Sequence, residues 1–398
     1  MKITLITQYY KPEMGAPQNR LLEMATSLQK CGADVSVITG MPNYPTGAIF
    51  PEYRGLYSCT EVLDDIEVKR YWLYASNARK VLPRIWNMVS FSMSVLCSLY
   101  YLRKRKNDFI IVESPPLTLG ISAWILAKLS SAKLVTNISD LWPLSARELG
   151  AISGDGLTYK ILEKVETFLY RHSVLTMGQS QQIVDYIKEH GGDNRVYLFR
   201  NGVDPKRFEN VPSAVHNENK LRLVYTGLLG FAQGILDICQ NINFSQHNAE
   251  LHIYGNGGEL ETIKQYLQHH PERGIFYHGT VSRDEIPSVL CQYDATYVPL
   301  VKDIFGAVPS KIYESMAAGL PIIFQGSGEG AAIVKENNIG WVTGPKQYSE
   351  FAHILELIRC DKQGYEEKSA HCKHCAKTLF NRPKQVQNLF DKLQTLCI

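Results

Sequence analysis

The chain has 398 residues, 45% of them hydrophobic and 20% charged, with a formal net charge of +3. That length exceeds what one ordinary core encloses, so two domains are expected, and the composition is ordinary for a soluble globular protein. So small a charge gives no reason to expect nucleic acid as a partner, and the imbalance is local: 23 Lys and Arg accompany 19 Asp and Glu before Pro205, against 19 and 20 from there on.

Met1-Lys2-Ile3-Thr4-Leu5-Ile6 runs straight into a strand-like stretch, Ile3–Thr7, without a signal-peptide layout. Nine cysteines scattered from Cys31 to Cys397 have no framework spacing. Both features lead us to expect a cytoplasmic protein with free thiols. The loop Lys11 to Arg20 follows the first strand and contains Gly15 and Ala16. Small residues there allow a backbone to approach a ligand, with the next helix offering free N–H groups, or they make a plain structural loop. A helical pattern over Arg20–Lys30 and a strand over Val35–Thr39 come next. Asp64-Asp65 sits in a turn before a strand and makes no convincing acidic pair for a divalent metal.

Residues 79–106 carry seven basic side chains and no acidic one, and Trp86 to Leu102 is uncharged. The uncharged run is 17 residues, short of the ~20 that a spanning helix needs. Asn87, Ser90, Ser94 and Ser98 recur along one side of it. This stretch is expected to lie in the interface of an anionic membrane, or else to be an internal helix with a basic rim.

Phe109–Val112, Leu134–Asn137 and Val174–Met177 read as further strands, with helices over Leu157–Arg171 and Gln181–His190. Asn201-Gly202-Val203-Asp204-Pro205, followed by the polar stretch Pro212–Lys220, marks the domain boundary. In the second half Leu221–Tyr225, Leu251–Tyr254, Ile275–His278, Ala295–Val298, Pro321–Phe324 and Trp341–Thr343 read as strands. Strands alternating with helices imply α/β domains with parallel sheets, with ligands at the carboxyl ends of the strands.

Three loops of this half stand out. Tyr225 to Gly234, with Gly227, Gly230, Gln233 and Gly234, suits a diphosphate held by backbone amides or a simple tight turn. Tyr254 to Glu259, with Gly255, has the same two readings. In Pro309 to Pro321, Pro309 and Ser310 look like a helix start and Gly319-Leu320-Pro321 a stop. Lys311 then falls in the first turn, where the macrodipole disfavours cations, and Glu314 lies one turn on. An anion bound beside Lys311 would account for it; a surface Lys–Glu pair is the other reading. His371-Cys372-Lys373-His374-Cys375 has ligand-type residues but no second cluster, so no metal is expected. Pro383–Leu396 reads as an amphipathic helix.

Met41-Pro42-Asn43-Tyr44-Pro45-Thr46-Gly47, Asp140-Leu141-Trp142-Pro143, Asn201-Gly202-Val203-Asp204 and Pro309-Ser310-Lys311 with Glu314 occur in an order that resembles the retaining glycosyltransferases of family four. The likeness runs over about Lys2 to Ala376 and is to the bacterial O-antigen, capsule and colanic-acid subgroup, which includes N-acetyl-L-fucosamine transferases. It implies the GT-B fold, two Rossmann-like domains with parallel sheets facing across a cleft. The domains would be 1–205 on the acceptor side and 206–376 for the nucleotide sugar, with 377–398 as a helix crossing back to the first.

The resemblance also implies roles. Gly15, Ala16, Gly227, Gly230, Gln233, Gly255, Ser310, Lys311 and Glu314 would hold the donor, Lys311 at the diphosphate and Glu314 at the ribose hydroxyls. Asn43, Tyr44, Asp140 and Trp142 would face the acceptor. Asp140 and Lys311 would be catalytic, although a cap for the next helix is an equal reading of Asp140. The sequence departs from many relatives at Leu228 and Gln233, where they carry Arg and Lys, at Gly306 in place of a first glutamate, and at Ser139 in place of a histidine.

The expected activity is retaining transfer of an N-acetylated or deoxy hexose from a UDP-sugar to a saccharide linked to polyprenyl diphosphate. It would need no cofactor or metal and would work at the inner face of the plasma membrane. The alternatives are a non-catalytic partner subunit of the same fold and a nucleotide-sugar epimerase.

Overall fold

A computed structural model describes residues 1–13, 15–78, 81–148, 156–192, 195–211, 220–302 and 304–397. The chain forms two compact units, Met1–Arg200 with Arg382–Ile398, and Asn201–Asn381. The first break thus falls at Arg200 rather than Pro205, and the second at Arg382 rather than residue 377. The helix Lys362–Lys377 stays with the second unit, where Tyr365, Cys372, Cys375 and Ala376 enter its cores.

The first unit is built on eight strands: β1 (Lys2–Ile6), β2 (Asp34–Gly40), β3 (Ser58–Leu63), β4 (Ile66–Tyr71), β5 (Phe109–Ser114), β6 (Lys133–Ile138), β7 (Leu175–Gly178) and β8 (Val196–Leu198). They lie in the order β3-β4-β2-β1-β5-β6-β7-β8, and only β3 runs antiparallel to its neighbour. Side chains alternate across the sheet, as the period of two requires. Ile3, Leu5, Phe109 and Ile111 meet the helices Ala16–Lys30 and Arg382–Cys397, whereas Ile6, Ile110 and Val112 meet the layer that contains Val81–Ser94, Leu99–Arg105 and Leu117–Ser130.

The second unit has six parallel strands: β9 (Leu221–Leu228), β10 (Ala249–Asn256), β11 (Ile275–Tyr277), β12 (Ala295–Leu300), β13 (Ile322–Gly326) and β14 (Gly340–Thr343), in the order β11-β10-β9-β12-β13-β14. The order in which successive strands are added switches sides between β1 and β5 in one sheet and between β9 and β12 in the other, all of them parallel. Such a switch opens a crevice at the carboxyl ends of the strands.

Eleven expected strands are present with ends shifted by a few residues, and three more appear. The hairpin β3–β4 turns on Asp64 and Asp65, both left-handed, with φ of 51° and 60°. Its outer strand β3 has no fully buried residue, so it carries little of the apolar signal by which strands are read. The helix expected over Gln181–His190 ends at Ile187 and passes into a wider turn, Lys188–Gly192.

The uncharged stretch forms Val81–Ser94, a 3₁₀ turn Val95–Ser98 and Leu99–Arg105. Its polar side faces inward: Asn87, Ser90 and Ser98 are buried, Asn87 donates to the Tyr74 carbonyl at 2.8 Å and Ser94 donates to that of Trp72. Leu82, Ile85, Trp86, Met93, Leu96 and Tyr100 are left on the surface. Arg79 and Lys80 of the expected basic cluster lie outside the described residues.

Helix Arg382–Cys397 completes the first unit's core with Val386, Leu389, Phe390 and Leu393. Arg382 is itself buried, 5.6 Å from the Phe199 ring and 3.6 Å from the Glu23 carboxylate. Leu389→Ala is therefore expected to destabilise this unit by about 2–5 kcal/mol, measured as an earlier unfolding transition in urea.

Candidate functional site

In the second unit β9 pairs with β12 at only two positions, Ala295 opposite Leu223 and Thr296 opposite Val224, before both strands run on. Gly227 lies at the end of β9, and the loop after it carries Gly230 and Gln233. The helix Lys311–Ala318, which follows β12 in the chain, starts with Lys311. The Lys311 ammonium lies 5.0 Å from the centre of the Tyr225 ring, and the Tyr225 hydroxyl donates to the Leu228 carbonyl at 2.5 Å.

Gly227 has φ of 139°, and a Cβ there would come within 2.5 Å of Lys311 Cε and 2.8 Å of its Nζ. Glycine is needed at this position both for the backbone and for the lysine. Gly255, with φ of 152°, lies so close to Gly227 that a Cβ would meet its carbonyl oxygen at 1.8 Å. The two loops are thus packed backbone to backbone, tied by the Leu229 amide donating to Asn256 at 2.9 Å. Desolvation lowers the Lys311 pKa to about 8, and Glu314 only partly opposes it. Among the described residues, that ammonium makes no hydrogen bond.

Ser310 does precede the helix, but its side chain makes no capping bond; the Ile312 and Tyr313 amides of the first turn donate instead to the Pro309 and Ser310 carbonyls at 3.2 and 3.1 Å. Glu314 is half-buried and lies 3.5 Å from Arg207, whose guanidinium also donates to the Arg283 carbonyl at 2.8 Å. The Arg283 side chain acts on Glu314 as well. Neither arginine was singled out from the sequence, because nothing local marks them. Gln233 is partly buried, with its amide oxygen unpartnered, and Leu228 is exposed. Cys372 and Cys375 face the core, where the Cys372 thiol points to the Leu320 and Ile339 carbonyls at 3.4 Å.

In the first unit the loops after β1 and β2 are joined by a residue the sequence did not flag, Glu13. It is buried and accepts from the backbone amides of Tyr10 at 3.1 Å, Asn43 at 2.8 Å and Tyr44 at 2.8 Å. Burial raises its pKa to about 7, against those amides and Arg70. Asn43 is buried by this arrangement, while Tyr44 stays accessible with its ring edge-on to Tyr9 at 5.9 Å. Arg70, fully buried in β4, pairs with Glu61 and donates to the carbonyls of Lys11 and Gly40, fixing the same loops. Gly15 and Ala16 open the helix Ala16–Lys30 without a side-chain cap. A Cβ on Gly15 would meet only the movable end of Gln18.

Deeper at the carboxyl ends, Arg20 pairs with the buried Glu113 and donates to Ser139 at 2.7 Å and Gln179 at 2.8 Å. Asn137 donates to the other Glu113 oxygen at 2.6 Å. The elements carrying these side chains include β5 and β6 and the first helix, and the network sets the loop that bears Asp140. Ser139, one of the departures from the pattern that the resemblance implies, serves here as a joint of this network. Asp140 keeps solvent access, yet desolvation by its surroundings raises its carboxyl above the usual aspartate value, against Arg20. Among the described residues it caps nothing: the helix Leu144–Glu148 opens with the Ser145 amide donating to the Leu141 carbonyl at 2.8 Å. Trp142 is half-buried beside it in the chain.

Residues 15–202 match the family described as Glycosyl transferase 4-like domain, and residues 206–378 match Glycosyl transferases group 1. WcaI of Escherichia coli, named for glycosyl transfer in colanic acid biosynthesis, is 27% identical over 80% of this chain and 82% of its own. WbjE of Pseudomonas aeruginosa, named as a glycosyltransferase, is 26% identical over 64% of this chain and 67% of its own. Among solved structures, sucrose-phosphate synthase from Thermosynechococcus elongatus superposes with a TM-score of 0.75 at 14% identity, covering 99% of this chain and 98% of the other. Anabaena HepE in complex with UDP gives 0.73 at 16% identity, covering 99% and 100%. Matched over nearly its whole length in two halves, the chain belongs to the group 1 glycosyltransferases and has the GT-B fold.

Proposed function

We propose that this glycosyltransferase moves an N-acetylated or deoxy hexose from a UDP-sugar, with retention, to a saccharide on polyprenyl diphosphate in bacterial surface polysaccharide synthesis. The observation that carries the donor assignment is Lys311: a desolvated ammonium without a hydrogen bond among the described residues, at a helix start and against a glycine loop. A diphosphate supplies the anion that this ammonium lacks. A relative named for colanic acid biosynthesis and a neighbour holding UDP support the substrate classes.

In this reading the bond between the sugar's anomeric carbon and the diphosphate oxygen breaks, and its electron pair leaves on that oxygen. The acceptor hydroxyl attacks from the same face and passes its proton to the leaving phosphate. Lys311 and the loop amides stabilise the charge that grows there. Glu314, held by Arg207, accepts from the ribose hydroxyls, and Asp140 orients the acceptor.

The outward apolar face of the Val81–Arg105 stretch supports attachment to an anionic membrane, where such an acceptor would be anchored. A helix that buries its polar stripe and exposes Leu82, Ile85, Trp86, Met93 and Tyr100 suits lying in the interface. Arg84, Arg103, Lys104 and Lys106 supply cations along it, whereas Arg105 is occupied with Asp34 at 2.6 Å.

Lys311→Ala is expected to cut turnover by about two to three orders of magnitude, measured with the folded protein, as for loss of one charge-stabilising donor. Because the lysine pKa is about 8, UDP affinity should fall as pH rises through that value and the ammonium is lost. Calorimetry should show this pH dependence vanish in the alanine variant, and an identical profile would place the anion elsewhere. Glu314→Gln should weaken UDP itself; unchanged affinity would leave Glu314 a purely structural partner of Arg207. Activity is expected to survive EDTA, and a loss restored by Mn²⁺ or Mg²⁺ would contradict the metal-free reading. Ile85→Glu with Met93→Glu should abolish co-sedimentation with anionic vesicles while leaving donor hydrolysis in solution intact.

A further inference from the structure

We propose a second lipid contact on the first unit, independent of the donor assignment: a site for one anionic glycerophospholipid, with its hydrocarbon chain and its phosphate held by different side chains. An open slot of about 380 Å³ runs between the helices Leu117–Ser130 and Leu157–His172, lined by Ile121, Trp124, Ile161, Val165 and Phe168 with Lys164 at the rim. It joins a hollow of about 490 Å³ that shares Phe168 and Lys164 and adds Arg171, His172 and His190, with Glu163 and Thr167. Four basic side chains and one acid therefore border the end of an apolar slot.

The cations are not explained by the helix alone. A C-terminal turn favours Arg171 and His172, but Lys164 lies two turns earlier and His190 comes from another element. Among the described residues, neither Lys164 nor Arg171 has an ion-pair partner. His172 and His190 each donate Nδ1–H to a carbonyl, of Phe168 and Tyr186, both at 2.8 Å. That leaves Nε2 of each to donate to an anion in the protonated ring. The slot is held rigid by Trp124 edge-on to Phe168 at 5.0 Å and by Phe168 stacked on His172 at 4.0 Å.

Trp124 contributes its ring to the slot wall while packing against the core on its other side. The slot lining offers a peptide backbone no array of hydrogen-bond partners, so a hydrocarbon chain is the occupant it fits. Leu157 and Ile161 are exposed on the same helix, and the neighbouring helix Leu117–Ser130 packs on its other side against the apolar stretch already assigned to the membrane. The site thus extends one continuous helix layer. His172 precedes β7, so its basic end lies at the amino ends of the strands, away from Glu13 and Asp140.

The test uses the full chain with vesicles of phosphatidylcholine, alone or mixed with phosphatidylglycerol carrying brominated chains. Bromine should quench tryptophan fluorescence in the mixed vesicles, and Trp124→Phe should remove a distinct part of that quenching. Lys164→Glu with Arg171→Glu should lower partitioning to the mixed vesicles by about tenfold or more and leave donor hydrolysis without vesicles unchanged. Quenching unaltered by Trp124→Phe, or partitioning unaltered by the charge reversals, would overturn the proposal. Displacement of the quenching by inorganic phosphate alone would also overturn it, showing a site for free anions. Loss of donor hydrolysis bears on the catalytic reading only, so the two failures are separable.

Discussion

The absence of a side chain at Gly227 is the constraint on which the donor side of this molecule depends. Lys311 fills the volume that a Cβ would take, and the backbone there adopts a conformation that other residues rarely reach. A parallel sheet whose strands diverge between β9 and β12 brings the loop and the helix start together. Neither the loop nor the helix makes the site alone. The lysine opposes the helix macrodipole and has lost part of its hydration, two costs that a bound dianion would offset.

The first unit solves a different problem. Its loops at the carboxyl ends of the strands are held in place with buried charges. Glu13 takes three backbone amides from two loops, Arg70 takes two carbonyls from the same pair, and Arg20 with Glu113 anchors the segment carrying Ser139. Buried ion pairs contribute little net stability, but losing one partner leaves an uncompensated charge and is costly. Their value here is geometric. They fix Tyr44 by its backbone amide rather than by its side chain, so its ring stays accessible.

The apolar stretch before β5 shows how the same residues permit opposite structures. A serine–asparagine stripe and an apolar stripe are both present at helical spacing, and burial of the apolar one is the ordinary outcome. Here Asn87, Ser90 and Ser94 find partners inside, and the apolar stripe is left outward. Exposed apolar surface on this scale marks a place where something other than water is met.

By itself the sequence determined the alternation of strands and helices, the two-domain division to within several residues, and the lysine at a helix start. These follow from short-range physics: β-branched runs, glycine and proline breaks, and helix-end charge preferences act over a few residues. It left β3 unread because an edge strand without a buried residue has little apolar signal. Glu13 with Asn43, Arg20 with Glu113, Arg70 with Lys11 and Glu314 with Arg207 were decided only by tertiary structure. Each pairs residues far apart in the chain, and each charge is stabilised by a partner that local composition does not name. Burial then sets the lysine and glutamate pKa values, and burial exists only once the sheets have formed.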